Sequence, residues 1–271
     1  MQTLFCVLAF AGLALPAAAQ TAAEPSFTIS CQENTWMRSR HRGAFCETRD
    51  LAMTAPAGQP LAIDGGPNGG IAVHGWDGPD VRIRATVQSW AGSEADARAH
   101  VKSIEISTAN NALRATAPAN TGPWSVSYEV FVPRQTALAL NTVNGGIELD
   151  NLRAAIRFHA VNGDVSLKGL GGHVTGNTVN GGLRIALTGT AWAGQGLDVE
   201  TTNGGISWQL PPNYSAQFFT STDLGSVRAE GLAVTKSGAL HQEITASLGQ
   251  GGAPLRAVTT NGGIRVAQGR E

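Results

Sequence analysis

The phrase Asn-Gly-Gly followed by an apolar residue recurs along the chain, and it constrains the fold more than any other feature. Its asparagines are Asn68, Asn144, Asn162, Asn180, Asn203 and Asn261, and the Asn162 copy has Asp164 in place of the second glycine. Three of them, Asn144, Asn162 and Asn180, are 18 residues apart, the next interval is 23 residues and the last is 58. The last interval has room for one or two degenerate copies, and Leu224-Gly225-Ser226-Val227 is a candidate. Repetition of this kind predicts a stack of similar structural units.

Apolar and polar residues alternate on both sides of each turn. The positions three and five after the asparagine are apolar, as in Ile147 and Leu149. The positions six and four before the asparagine are also apolar, as in Leu138 and Leu140. Because alternation with a period of two marks a half-buried strand, each repeat is predicted to contribute two strands.

The Asn-Gly pair is typical of tight turns, since both residues tolerate a positive φ. We therefore expect positive φ at the turn glycines, which are Gly145, Gly163, Gly181, Gly204 and Gly262. If the turns stack, their asparagine side chains can form an amide ladder.

These patterns predict an all-β fold, a single-stranded β-solenoid in which equivalent positions lie above one another. A right-handed β-helix fits the slightly irregular spacing best, with a flattened two-sheet roll as the alternative. An antiparallel sandwich is the other possibility, but its turns need not match one another. The turns also account for eleven of the 34 glycines of the chain.

The N-terminus resembles a secretory signal peptide. The apolar run from Leu4 to Leu15 is followed by small residues up to Ala19, and it is too short to span a bilayer. We expect a signal peptide at 1–19 and a mature chain that begins at Gln20, with an uncleaved anchor as the alternative. No later segment is predicted to cross a membrane, so the exported chain would reside in the periplasm or at the cell surface.

Two cysteines remain in that mature chain, Cys31 and Cys46. In an oxidising compartment they are expected to form a disulfide, with two free thiols as the alternative. They belong to an N-terminal segment, 20–60, that precedes the repeat domain, 61–271. Within the latter, a short helix is predicted at 93–103 with Ser93 as its N-cap, covering the open end of the stack.

The net charge of −1 argues against nucleic acid or an anionic membrane as a partner. The six histidines follow no metal-ligand spacing, and no Gly-x-Ser-x-Gly or His-Glu-x-x-His motif occurs. Neither a metal nor a cofactor is predicted.

Several phrases together resemble a known family. They are Cys46-Glu47-Thr48-Arg49, the segment from Gly75 to Val81, Val126 to Pro133 and the serial Asn-Gly-Gly-Ile turns. They are similar to a bacterial family of exported β-strand-repeat proteins of unknown function that are labelled putative adhesins. The resemblance implies a β-helical protein outside the cytoplasm and supplies no catalytic motif.

Two kinds of candidate site residue remain. A cationic and aromatic patch in the cysteine loop, formed by Trp36, Arg38, Arg40 and Arg42, could meet an anionic glycan or lipid head group, although a solvated loop whose Trp packs back on the solenoid is the favoured explanation. Carboxylates at Asp150, Asp164, Glu200 and Asp223 could serve glycan cleavage, but turns also favour Asp for local hydrogen bonds.

Exposed tryptophans could stack on sugars. The candidates are Trp76, Trp90, Trp124 and Trp192, whereas Trp208 falls in an inward register. The sequence thus favours a non-enzymatic, adhesin-like scaffold or interaction module of the cell envelope, whose partner is an unknown protein or glycan. The alternative is a carbohydrate-active β-helix enzyme, a polysaccharide lyase or hydrolase.

Overall fold

The computed structural model describes residues 24–31, 43–232, 234, 236–238 and 241–269. They form two large β-sheets and a single α-helix, α1 (Glu94–Ser103), with short 3₁₀ turns at Gly66–Asn68 and Ala109–Asn111. The strands are β1 (Gly43–Thr54), β2 (Leu61–Asp64), β3 (Ile71–Trp76), β4 (Asp80–Ala91), β5 (Glu105–Ser107), β6 (Ala112–Thr116), β7 (Trp124–Pro133), β8 (Leu138–Asn144), β9 (Ile147–Asp150), β10 (Arg153–Asn162), β11 (Val165–Lys168), β12 (Gly171–Asn180), β13 (Leu183–Ala186), β14 (Gly196–Asn203), β15 (Ile206–Leu210), β16 (Ala216–Leu224), β17 (Val227–Glu230), β18 (Lys236–Ser237), β19 (Gln242–Leu248), β20 (Pro254–Asn261) and β21 (Ile264–Gln268).

The two sheets divide each repeat between them. Sheet A has the strand order β1-β4-β7-β3-β9-β11-β13-β15-β21-β17, and sheet B has the order β18-β19-β16-β20-β14-β12-β10-β8-β2-β6-β5. The strand before each Asn-Gly turn lies in sheet B, and the strand after it lies in sheet A. The prediction of a nearly all-β chain with two strands per repeat is confirmed.

Equivalent positions of successive repeats are paired in parallel register. Asn162 lies beside Asn144 on one side and Asn180 on the other, and Val165 lies between Ile147 and Leu183. The inward apolar side chains of both sheets form one hydrophobic core. Full burial of one such side chain stabilises the fold by about 1.5–3 kcal/mol, so the repeated pattern specifies this register.

The order of the repeats in space differs from their order along the chain. Strands β20 and β21 of the last repeat insert between strands that precede them in the chain. Strand β20 lies between β14 and β16, and β21 pairs with both β15 and β17. The degenerate copy at Leu224 does form a pair of strands, as expected, but it stacks outside the Asn261 repeat, with Leu224 beside Asn261. The antiparallel strand β19 pairs with β16 on the side away from β20.

Helix α1 packs at the far end of sheet A, against β1 and β4. Its predicted N-cap is confirmed, because the Ser93 hydroxyl accepts from the Asp96 amide at 3.1 Å. Val101 is buried in the core. Arg49 closes the other end by donating to the carbonyls of Val101 and Ile104 at 2.7 and 2.6 Å.

Residues 24–31, called the strap here, cross the outer face of sheet A. Glu129 of β7 lies beneath them with 1% of its surface exposed. Its carboxylate accepts from the Thr28 amide at 2.7 Å, the Thr28 hydroxyl at 3.0 Å and the Ile29 amide at 3.0 Å. The predicted Cys31–Cys46 disulfide is present, and it fastens the strap to β1.

The turn glycines differ from the expectation in their backbone geometry. None of the turn glycines predicted above is among the residues with positive φ. Glycine is required there because the turns stack closely: a Cβ on Gly163, Gly181 or Gly204 would lie 2.0 Å from the carbonyl oxygen of the turn glycine below. The physical reason is thus contact between neighbouring backbones rather than a left-handed conformation.

This distinction predicts different costs for two adjacent glycines. A Cβ at Gly262 would lie 2.1 Å from the Gly204 carbonyl oxygen, whereas at Gly263 the nearest atom is the Ser226 oxygen at 3.6 Å. Gly262→Ala should therefore lower the free energy of unfolding by about 1–3 kcal/mol, the usual cost of overpacking. Gly263→Ala, the matched control, should change it by less than about 0.5 kcal/mol. Urea unfolding measures both, and equal stability of the two variants would contradict the stacked-turn geometry.

The disulfide joins residues that are 15 apart in sequence, and closing a loop of that length stabilises a chain by about 3 kcal/mol in the chain-entropy model. Reduction should lower the urea midpoint and accelerate hydrogen exchange at the Thr28 and Ile29 amides. A Cys31→Ser/Cys46→Ser variant should be insensitive to the reductant. Two free thiols in the mass spectrum of the untreated exported protein would show that this pairing is absent.

Candidate functional site

The outer face of sheet B carries two rows of polar side chains that run across the strands. One row contains Ala139, Arg157, Thr175, Asp198 and Arg256, and the other contains Asn141, His159, Asn177 and Glu200. Both rows arise from the repeat, because every second residue of a strand points outward and the parallel register places equivalent positions side by side.

Between the rows lies a groove of about 500 Å3, called the sheet B groove here. Its floor is the backbone of the inward-facing residues Leu140, Phe158, Gly176 and Val199. Its walls are the two rows of side chains. The groove crosses β8, β10, β12, β14 and β20, and four strand spacings correspond to roughly 19 Å, so its shape suits an elongated ligand.

The charges of the groove are balanced within it. Arg256 binds Asp198 at 2.6 Å, while Arg157 and Glu200 are exposed. His159 Nδ1 lies 2.5 Å from Asn177 Oδ1. Because an amide oxygen only accepts, the ring donates from Nδ1, which leaves Nε2 of the neutral ring as an acceptor. The groove therefore offers donors and acceptors in alternation without a strong net charge.

The predicted asparagines line the corner between the sheets, where they are joined to one another. Asn162 donates to Asn144, Asn180 to Asn162, Asn203 to Asn180 and Asn261 to Asn203, all at 2.8–2.9 Å. Asn144 in turn donates to Asn68 at 3.2 Å. The ladder thus pairs the amide groups of these asparagines with one another.

A second ladder inside the corner was not identified from the sequence. Buried threonines two residues before the turn donate to the carbonyl oxygen of a glycine in the adjacent turn. Thr178 reaches Gly163 at 2.9 Å, and Thr201 reaches Gly181 at 2.7 Å. The same bond is made by Thr142, Thr222 and Thr259. The recurrence of threonine two residues before the turn is the sequence signal that could have predicted this second ladder.

The four predicted carboxylates do not converge. Asp150 belongs to sheet A and Asp164 to the turn just before β11, whereas Glu200 and Asp223 belong to sheet B. Asp164 is paired with Arg184 at 2.9 Å, and Asp223 with His241 at 2.8 Å. Of the four, only Glu200 lines the sheet B groove, and the carboxylate beside it is Asp198, which the sequence had not singled out.

The predicted tryptophans also lie outside the groove lining. Trp208 is fully buried against Phe218, in agreement with its inward register. Trp192 is buried, and its indole donates to the Gly172 carbonyl at 3.0 Å. Trp76, Trp90 and Trp124 are half-buried.

The proposed cationic patch of Trp36, Arg38, Arg40 and Arg42 lies outside the described residues, as does the segment 1–23. Within the described ranges, no helix is long and apolar enough to cross a membrane. Among the same residues, no group of three or more His, Cys, Asp or Glu is placed to hold a metal ion.

No protein-family model and no curated protein matches the chain. Several solved structures are similar over most of its length. A putative cell adhesion protein from Clostridium sporogenes has a TM-score of 0.43 and 11% identity, covering 82% of this chain and all of its own. A putative adhesin from Bacteroides fragilis (TM-score 0.36, 10% identity) and a putative lipid binding protein from Parabacteroides distasonis (0.32, 12%) each cover 83% of this chain and 97% of their own. Similarity at this level assigns neither a family nor a function.

Proposed function

We propose that the chain is an exported, non-enzymatic interaction module that binds a glycan of the cell envelope through the sheet B groove. In this proposal the stacked repeats are a β-solenoid, in the form of a flattened two-sheet roll, and they act as an adhesin-like scaffold. Parallel in-register pairing of successive repeats supports the solenoid, and two extended sheets favour the roll over a right-handed β-helix.

Export is supported by the disulfide, because such bonds persist in oxidising compartments. The signal-peptide pattern at 1–19 points the same way. Both observations fit a protein that functions in the periplasm or at the cell surface.

The single observation that carries the choice of ligand is the pair of rows across the sheet, each with polar side chains on four consecutive strands. Sugar hydroxyls donate and accept hydrogen bonds, and the groove presents both kinds of partner in alternation, from Arg157 and Arg256 to Asp198 and Glu200. The balanced charge favours a neutral or weakly charged glycan. The regular spacing of the strands suits a ligand that is itself a repeating polymer.

The test is glycan binding by the exported chain with its disulfide intact, first on an array and then by titration calorimetry. Arg157→Ala and Asn177→Ala should each weaken binding about tenfold or more, since a hydrogen bond to a charged or buried partner contributes about 1.5 kcal/mol or more. Arg98→Ala on helix α1, where Arg98 pairs with Glu94, is the matched surface control. Unchanged affinity in both groove variants would refute this site.

One observation favours the second function, glycan hydrolysis. Asp198 and Glu200 are two residues apart on β14 and face the same groove, which places their Cα atoms about 6.6–6.8 Å apart. Side chains on the same face of a strand project side by side, so these two carboxyl groups can reach the separation of about 6.5–9.5 Å that inverting glycosidases use. In that reaction Asp198, held by Arg256, would be the base that activates water, and Glu200 the acid that protonates the leaving oxygen.

The two functions differ in one measurable product. Under our proposal, incubation with any bound polysaccharide releases no reducing ends, and Glu200→Gln affects only binding. Release of reducing ends by the wild-type protein, abolished in Glu200→Gln, would replace the binding function with the hydrolytic one.

A further inference from the structure

The outer face of sheet A carries a second groove with a different chemistry. It is called the arginine trough here and has a volume of about 560 Å3. Three arginines, Arg184 on β13, Arg265 on β21 and Arg228 on β17, lie in one row that also contains Ser207. Beside this row, the positions just before each strand form an open floor of Gly182, Gly205, Gly263 and Ser226.

At one end of the trough the protein already binds a carboxylate of its own. The Asp164 side chain extends over the neighbouring repeat, where Oδ1 accepts from the Gly182 amide at 2.8 Å and Oδ2 pairs with Arg184 at 2.9 Å. The hydrogen bond from the Gly182 amide lowers the pKa of Asp164 below its ordinary value, and Arg184 lowers it further to a smaller extent. A backbone amide and an arginine two residues later thus form a working carboxylate site.

The same pair of donors recurs where the chain provides no carboxylate. Asp164 binds an amide and an arginine of the next strand. In the same way, the Gly263 amide and Arg265 face the position of Gly205, and the Ser226 amide and Arg228 face the position of Gly263. Within the part of the chain that the structure describes, the amides of Gly263 and Ser226 donate no hydrogen bond, and Arg228 forms no ion pair. Arg265 binds Glu230 at 2.8 Å through Nη2, so its other donors remain for a ligand.

No side chain covers these two positions, although a Cβ fits more tightly on Gly205 than on Gly263. A Cβ built on Gly205 meets only the Gly263 oxygen at 3.0 Å, and one on Gly263 meets only the Ser226 oxygen at 3.6 Å. We propose that the arginine trough binds neighbouring carboxylates of an acidic polysaccharide, with one carboxylate above Gly205 and the next above Gly263. Each would repeat the contacts that Asp164 makes.

The spacing of the two positions favours a polyuronate over an acidic peptide. They belong to adjacent strands and are therefore about 4.8 Å apart, a distance close to the length of one pyranose unit in a chain. In an extended peptide, side chains on the same face are about 6.6–6.8 Å apart. The central strands β15 and β21 are paired on both sides, so a peptide cannot bind in the trough by adding a strand. This site is separate from the sheet B groove and does not depend on the function proposed for it.

The experiment fills the site with a carboxylate of the protein itself. Gly205→Asp should reproduce the Asp164 arrangement and lower the affinity for oligogalacturonate at least tenfold, whereas Gly205→Asn, of equal size and without charge, should lower it less than threefold. Asp164→Gly should open a further position and raise the affinity. Titration calorimetry at two salt concentrations measures these changes, because binding by exposed arginines weakens as salt is added.

A matched control makes the result specific. Arg228→Gln and Arg265→Gln should each weaken binding even if Gly205→Asp fails to fold, while Arg98→Gln on helix α1, where Arg98 pairs with Glu94, should leave it unchanged. No binding of oligogalacturonate by the wild type, or equal binding by Gly205→Asp and Gly205→Asn, would overturn the proposal. Tighter binding of poly-aspartate than of oligogalacturonate would overturn the choice of polysaccharide.

Discussion

Contact between the backbones of stacked turns is the constraint on which the rest of the structure depends. A turn glycine such as Gly181 lies against the carbonyl of Gly163 so closely that a Cβ would be 2.0 Å from its oxygen. This contact allows the asparagine ladder to form outside the corner and the threonine ladder inside it, which satisfies polar groups that would otherwise be costly to bury. Both sheets diverge from this corner, so its repeat fixes their common register.

That register also creates the two outer surfaces. Once equivalent positions lie side by side, outward residues form rows across the strands, and the residue type in each repeat decides the chemistry of each row. On sheet B the rows carry charges of both signs and include His159 and Asn177, whereas on sheet A three arginines share a row with Ser207 beside a floor of three glycines and Ser226. Because the scaffold places these rows on different sheets, the two grooves are separate sites of different chemistry.

Much of the scaffold was predictable because it depends on local patterns. The alternation of apolar and polar residues around the turns predicted the strands. Ser93 predicted the start of the helix, and the two cysteines predicted the disulfide. The φ values at the turns were predicted wrongly, since Asn-Gly indicates a tight turn without showing how closely the next turn approaches. The carboxylate pair was missed for a related reason: Asp198 and Glu200 matter only because they face a groove that β12 and β20 complete.

The sequence by itself determined the repeat, the strands, the inward residues and the asparagine ladder, because each follows from spacing and side-chain chemistry within one repeat. Only the tertiary structure decided the order of the repeats, in which β20 and β21 insert between earlier strands. It also decided which outward residues become neighbours. Arg265 and Arg228 are 37 residues apart in the chain and lie on adjacent strands, because pairing between sheet strands depends on packing of the whole stack rather than on distance along the sequence.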